Sequence, residues 1–478
     1  VVTVSSPKKD GFVPPTENEV LKILEEASTK KVDAYVDNII TKPLIEKKPK
    51  PGRVTKTKEI KEYSITEWTL SNGARVILKP TDFKNDEIVF SAYSRGGTSL
   101  ASDKDFISAA NAAATVSEGG VGEFDATTLR KLLAGKIVSV NPGISELSEN
   151  FSGNASPEDL ETLFQLVHLY FTSPRKDTAA VQAYLARQKA FVENNRLSPE
   201  SAFRDTFYVT TSQYHFRSRP MTVKILDEYN FDRAIAFYKD RYADASDFIF
   251  FFIGNFELVK MKPFVEQYLA SLPNLKRKES WRDVNRISPK GVIEKEVRKG
   301  IDPKSYVLMS FTGSFEWNLQ NLFDFQAMTE VLDIKLREVI REDKSGTYGV
   351  DVSGSPSLFP RKQYSITIWF GCAPERVKEL TQAVLQQIDS IKLKQPEQIY
   401  MDKVKEMTRR ELQVNRRENR WWLSTLRTFY ANGEDLPPLS QVEKMIENLS
   451  GTAIQTAVSR YFNMNNYVRV VLFPEKKE

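Results

Sequence analysis

Two histidines and one cysteine are the scarcest chemical resources in this 478-residue chain. The single cysteine, Cys372, excludes an internal disulfide and leaves the compartment open. Any site built on several histidines, and any Ser-His-Asp triad, would have to draw on His168 or His215. These lie 215 − 168 = 47 residues apart, and neither has a partner histidine four positions away. Long apolar runs are also missing: no window approaches the roughly 18–20 uninterrupted apolar residues of a membrane helix. The start, VVTVSSPKKDGF, has no charged segment leading into an apolar core. No signal peptide is therefore expected, and the lack of an initiator Met fits a mature form or a fragment. Charge of one sign is scarce too. The net +5 arises from 68 basic and 63 acidic residues spread along the chain, which argues against nucleic-acid binding.

What is present is a globular composition, 41% hydrophobic and 27% charged, in a chain too long for one core. Residues 1–63 read as an N-terminal helix followed by a basic, proline-bearing linker. Thr16-Glu17-Asn18-Glu19 opens, as a capping box does, a short amphipathic helix through Val20, Ile23 and Leu24. Over 42–61, eight Lys/Arg stand against two Glu, with Pro43, Pro49 and Pro51, as in an extended solvated tether.

Packed structure is expected from Ile65. Trp68 and Leu70, the turn Asn72-Gly73, and Val76 and Leu78 form a hairpin. A strand over 88–93 ends in Arg95-Gly96-Gly97. Helices from Asp105 are interrupted at Gly119-Gly120-Val121-Gly122, and strands, further helices and the apolar strand 248–253 follow before a charged linker over 272–289. The pattern then repeats. LREVI from Leu336 matches LRKLL from Leu129, an offset of 337 − 130 = 207. The strand ending at Gly371 matches the one ending at Gly153, an offset of 371 − 153 = 218. The helix ending at Tyr461 matches the one ending at Tyr242, where 461 − 242 = 219. The offset is read as growing once, by about eleven residues, in the hairpin 353–363. Two copies of one α+β domain, 64–280 and 281–478, account for this. Each is expected to be an antiparallel sheet with helices packed on one face.

One stretch, LREVIREDKSGTYGVDV over 336–352, stands apart. Leu322, Phe325, Met328, Leu332, Leu336 and Ile340 recur at helical steps, Ser345-Gly346 breaks the helix, and Tyr348, Val350 and Val352 alternate as in a strand. Arg341 falls at the helix end and Tyr348 at the strand start. The first copy continues as AGKIVSV after its matching helix, without this pair. A structural account is available: an ion-pair ladder through Asp333, Arg337 and Arg341, a cation at a helix C-terminus, and a packed tyrosine.

The duplicated domain, the hairpin TLSNGARVILKP, the strand SAYSRGG and the segment REDKSGTYGV together resemble the M16 metallopeptidases, the pitrilysin or insulinase family, over roughly residues 60–478. The resemblance implies the M16-type, LuxS-metallohydrolase-like fold, with four such domains forming two halves of a clamshell around a chamber. It places zinc on the N-terminal half, held by an inverted HxxEH motif and a downstream glutamate. The C-terminal half keeps the fold, lacks the motif and contributes an Arg and a Tyr seven residues apart to substrate binding; Arg341 and Tyr348 match that pair. Here the helix that would carry the motif reads DFISAANAAATVSEGG and contains no histidine, while Glu193 in AFVENN stands where the downstream ligand would be. The chain thus resembles the C-terminal, non-zinc-binding half, with no metal and no catalytic residue of its own. It is expected to be inactive alone. Its partners would be a zinc-bearing N-terminal half, in the same precursor or separate, and a peptide or small-protein substrate. Bacterial relatives suggest the periplasm. The alternative is a catalytically inert scaffold subunit of the same fold.

Overall fold

The computed structural model describes residues 2–3, 13–33, 42–343 and 349–475, with the backbone alone at 341–343. The chain falls into two compact units, Val1–Lys42 and Pro43–Glu478. In the first, the helix Glu17–Thr29 begins with the expected capping box: the Glu19 N–H donates to Thr16 Oγ1 and the Thr16 N–H donates to Glu19 Oε2. None of its residues is buried.

The second unit contains two sheets. Strands β1 (Val54–Ile60), β2 (Ile65–Leu70), β3 (Arg75–Pro80), β4 (Ile88–Arg95), β5 (Val138–Ile144), β6 (Ser148–Ala155) and β7 (Ile249–Gly254) form a seven-stranded sheet in the order β1-β2-β3-β7-β4-β6-β5. Strands β8 (Val292–Arg298), β9 (Ser305–Ser314), β10 (Val350–Ser357), β11 (Gln363–Cys372) and β12 (Tyr467–Phe473) form a five-stranded sheet in the order β10-β11-β9-β12-β8. Read from the same end, the second order repeats β5-β6-β4-β7-β3. Neighbours are antiparallel except for one equivalent parallel pair in each sheet, β3–β7 and β8–β12. The long helical excursion between the members of each pair lets the chain return in the same direction.

Two details differ from the sequence reading. Residues 54–60 belong to the sheet rather than to the linker: β1 pairs with β2, and the Gly52 N–H donates to the Glu266 carbonyl. The strand TKTKE is polar because it lies at a sheet edge and is largely exposed, so it carries no apolar alternation to betray it. The offset also does not grow just once. It is already 292 − 75 = 217 at the starts of β3 and β8, falls to 350 − 138 = 212 at β5 and β10, and returns to 467 − 249 = 218 at β7 and β12. The longer β10–β11 hairpin restores most of the length.

Each sheet packs its own helices on one face. Phe164 and Phe171 of the helix Leu160–Thr172 meet Phe252, Phe248 and Phe250, and the second sheet buries Phe311, Phe325, Met328, Leu332, Ile366 and Ile368. The other face is covered by a helix from the opposite half. Trp422 and Leu426 of Asn419–Asn432 pack on Ile65, Ile77, Val89, Ile249, Phe251 and Ile253 of the first sheet. Phe203 of Pro199–Thr211 packs on Val468, Val470 and Leu472 of the second. This exchange explains why β7 and β12 read as almost unbroken apolar runs, since both their faces are buried. Each fully buried aromatic or leucine side chain contributes roughly 1.5–3 kcal/mol to holding the halves together.

The 272–289 linker is fastened between the halves. The Arg282 N–H donates to Ser99 Oγ, Arg361 pairs with Asp283 at 2.8 Å, and Trp281 lies 5.4 Å from Phe359 of the β10–β11 hairpin.

Candidate functional site

The segment singled out by sequence begins on the helix Leu319–Leu336, whose Phe325, Met328, Val331, Leu332 and Leu336 are buried. The backbone continues through Arg337–Asp343 in a wider helical winding, and β10 starts at Val350. Arg341 lies on that winding, but its side chain and the whole of Tyr348 fall outside the described residues. What is described is how both ends of the segment are anchored. Asp333 pairs with Arg337 at 2.5 Å and accepts the Val352 N–H at 3.2 Å, joining the helix to β10. Burial raises the Asp333 carboxyl above its ordinary value, while Arg337 and the Val352 N–H oppose that rise. On the opposite side, Glu338 accepts from the Tyr400 hydroxyl at 2.6 Å and from Lys403 at 2.9 Å, which holds its carboxyl below the usual range. β10 is a sheet edge, hydrogen-bonded to β11 alone among the described strands, with Val350 and Val352 turned into the core.

The helix expected to carry a zinc motif is two short pieces, Phe106–Ala110 and Ala112–Gly119. Side-chain hydrogen bonds knit it to its neighbours. Tyr184 donates to Asn111 Oδ1 at 3.0 Å, Thr115 lies 2.8 Å from the Tyr229 hydroxyl, and Arg187 pairs with Glu118 at 2.9 Å. Tyr184 and Arg187 sit on the helix Thr178–Asn195, which also carries the exposed Glu193. These neutral amides, hydroxyls and a satisfied ion pair do not fit a zinc ion, which needs three imidazole, thiolate or carboxylate donors. No group of three His, Cys, Asp or Glu among the described residues could hold a metal. His168 meets the Tyr268 carbonyl through Nδ1 at 3.1 Å, and burial lowers its pKa. His215 Nδ1 accepts from the Arg217 N–H, and its Nε2 meets the Val284 carbonyl at 3.0 Å. Cys372 is buried, which pushes its thiol up to about 11 and keeps it protonated.

Sequence reasoning missed a buried ionic cluster at the end of β4. Gly97 adopts φ +68°, and a Cβ there would lie 2.4 Å from the Ser145 carbonyl oxygen, so the turn requires glycine. Its N–H donates to Glu149 Oε2 at 2.7 Å. Glu149 is 1% exposed and lies 4.0 Å from Arg241, which also pairs with Glu279 at 2.9 Å and Asp240 at 2.5 Å. Burial pushes the Glu149 carboxyl up to about 8 against the pull of the Gly97 N–H and Arg241. The cluster clasps the inter-half linker, through Glu279, to the first sheet. The only sequence trace of it is the Arg95-Gly96-Gly97 turn.

Residues 229–408 match the family described as the peptidase M16 inactive domain. A zinc protease PQQL-like protein of Arabidopsis thaliana is 23% identical over 506 aligned residues, covering 100% of this chain and 50% of that protein. The periplasmic protease PqqL from Escherichia coli superposes with a TM-score of 0.80 at 21% identity, covering 96% of this chain and 51% of the other. A mutant of the ferredoxin protease FusC, in complex with Arabidopsis ferredoxin, gives 0.78 at 19% identity, covering 97% and 51%. The chain therefore spans about half the length of these relatives. The duplicated α+β fold is thus shared with M16 proteases of known structure, and residues 229–408 carry the match to the peptidase M16 inactive domain.

Proposed function

We propose that this chain is the C-terminal, non-catalytic half of an M16-type zinc endopeptidase. It closes a peptide-holding chamber against a zinc-bearing half and binds substrate through Arg341 and Tyr348. The observation that carries this reading is the pairing of an M16 inactive-domain match with a motif helix whose polar groups are already satisfied by Tyr184, Tyr229 and Arg187. Hydrolysis of an amide builds negative charge on the carbonyl oxygen, and a guanidinium and a phenol placed there stabilise that charge more than the ground state. An arginine can also grip a peptide carboxylate through paired donors. The anchors at Asp333 and Glu338 supply the rigid base such a pair needs.

Zinc would be bound by the partner half, and the whole assembly would act on peptides or small proteins, as the ferredoxin-bound relative suggests. The periplasmic relative suggests the same compartment. No helix among the described residues is long and apolar enough to cross a membrane.

The test is peptide hydrolysis by this chain alone, by a zinc-bearing half alone and by the two combined, with zinc content measured in each. The expected result is chelator-sensitive cleavage by the combination and none by this chain. Chelator-sensitive cleavage by the isolated chain would refute the reading, and a combination no more active than the zinc half would favour an inert scaffold.

A further inference from the structure

A cavity of about 470 Å³ lies between the outer face of β4 and β6 and the helix Asn419–Asn432 that the second half lays across it. Tyr93 and Ser152 line it from the strands, and Arg420, Leu423 and Arg427 line it from the helix. Arg427 is half-buried there and meets neither a carboxylate nor a carbonyl acceptor among the described residues, and Arg420 beside it is exposed and equally unpaired. The nearby Arg95 is already engaged: it donates to the Ala431 carbonyl at 2.9 Å and stands over the Phe359 ring. Burial raises the Tyr93 phenol, so it stays a hydrogen-bond donor at neutral pH. A partly desolvated guanidinium with no counter-charge is unfavourable, and an incoming anion relieves that cost.

The other half supplies an internal control. The exchanged helices start 419 − 199 = 220 residues apart, as do the helices before them, Thr178–Asn195 and Gln398–Asn415, where 398 − 178 = 220. The matching groove beside Pro199–Thr211, of about 370 Å³, is lined by Phe207, Tyr208 and Thr211. The positions 220 further on are Arg427, Thr428 and Ala431. Arg286, which also lines that second groove, is neutralised by Glu146 at 2.6 Å. Packing an exchanged helix on a sheet therefore needs no cation at this position; Phe207 serves in the equivalent place.

We propose that the groove is an anion subsite that receives a carboxylate of a bound polypeptide, with Arg427 as the paired donor and Tyr93 and Arg420 flanking it. Leu423 offers apolar contact for the stem that carries the carboxylate. That the anion belongs to a polypeptide rests on the peptidase-half reading. The carboxylate could come from an acidic side chain or from a free C-terminus, and the test separates the two.

Binding to the full 478-residue chain is measured by fluorescence anisotropy for three labelled peptides of equal length. One contains glutamates and has blocked ends, one is neutral with a free C-terminus, and one is neutral with both ends blocked. The first or the second should bind about tenfold or more tightly than the third, as one charge-assisted paired contact provides, and the winner identifies the source. Arg427→Gln should erase the preference, and Arg427→Lys should keep part of it. Equal binding of all three peptides, or an undiminished preference in Arg427→Gln, would overturn the proposal. A second readout needs no variant: glutarate at constant ionic strength should displace the preferred peptide while glutaramide should not, and failure of glutarate to displace it would also overturn the proposal. Because binding is read without hydrolysis, a chain that prefers carboxylates yet supports no cleavage would keep the subsite and lose the peptidase reading.

Discussion

The Asp333 carboxylate accepts the Val352 N–H at 3.2 Å while pairing with Arg337, so one side chain ties the end of the Leu319–Leu336 helix to the edge strand β10. The segment between these anchor points carries Arg341 and Tyr348. Asp333→Ala should cost about 1–2 kcal/mol, the price of leaving a partly buried N–H without its acceptor. Asp333→Asn, which keeps an oxygen in place, should cost less. Urea unfolding of both variants checks the order, and equal losses would show that only the charge matters.

The Glu149 cluster predicts a pH dependence. Its folded carboxyl is raised to about 8 from an ordinary 4.5. Between those values the folded chain holds a proton that the unfolded chain has released. The resulting stability is complete below about pH 4.5 and is lost as pH rises through about 8. Asp247, pushed up to about 6 by burial, adds a smaller loss in the same direction. The unfolding free energy of the parent, from urea unfolding, should therefore be lower at pH 8.5 than at pH 5, by on the order of 2–4 kcal/mol. Glu149→Gln, which can still accept the Gly97 N–H, should flatten most of that slope. A slope unchanged in Glu149→Gln would show that other groups set it.

The exchanged helices should couple the halves. Trp422→Ala and Phe203→Ala each remove a buried aromatic ring from a contact between one half's helix and the other's sheet. Each should cost roughly 3–5 kcal/mol and lower the single unfolding transition of both halves together. Two separate transitions in the parent chain would contradict this coupling.

Much of this architecture was legible because local signals carried it. The capping box at Thr16 and Glu19, the Asn72-Gly73 turn and the helical spacing of Phe325, Met328 and Leu332 each report their own element. The repeat was legible through the match of Gly371 with Gly153, whose offset of 371 − 153 = 218 is close to those between equivalent strands. The exchange of helices was not, although Ile249–Gly254 hinted at it by being apolar on both faces, because no local pattern names the helix that covers a strand. Glu149 and Arg241 stayed invisible for a related reason. A charged residue reads as surface unless its partner, here 92 positions away (241 − 149), is known to be beside it. The polar TKTKE of β1 failed in the opposite sense, since an exposed edge strand and a solvated linker share one composition. At the candidate site, sequence named Arg341 and Tyr348, and the structure adds the anchors Asp333 and Glu338 on either side of the helix end.

The most direct test is kcat/KM of the assembled two-half enzyme carrying Arg341→Ala or Tyr348→Phe in this chain. If each residue is a transition-state donor, as proposed, each variant falls about 10²-fold, carried mainly by kcat, with zinc content and folding unchanged. Full kcat/KM retained in both variants would contradict the account and leave this chain a scaffold.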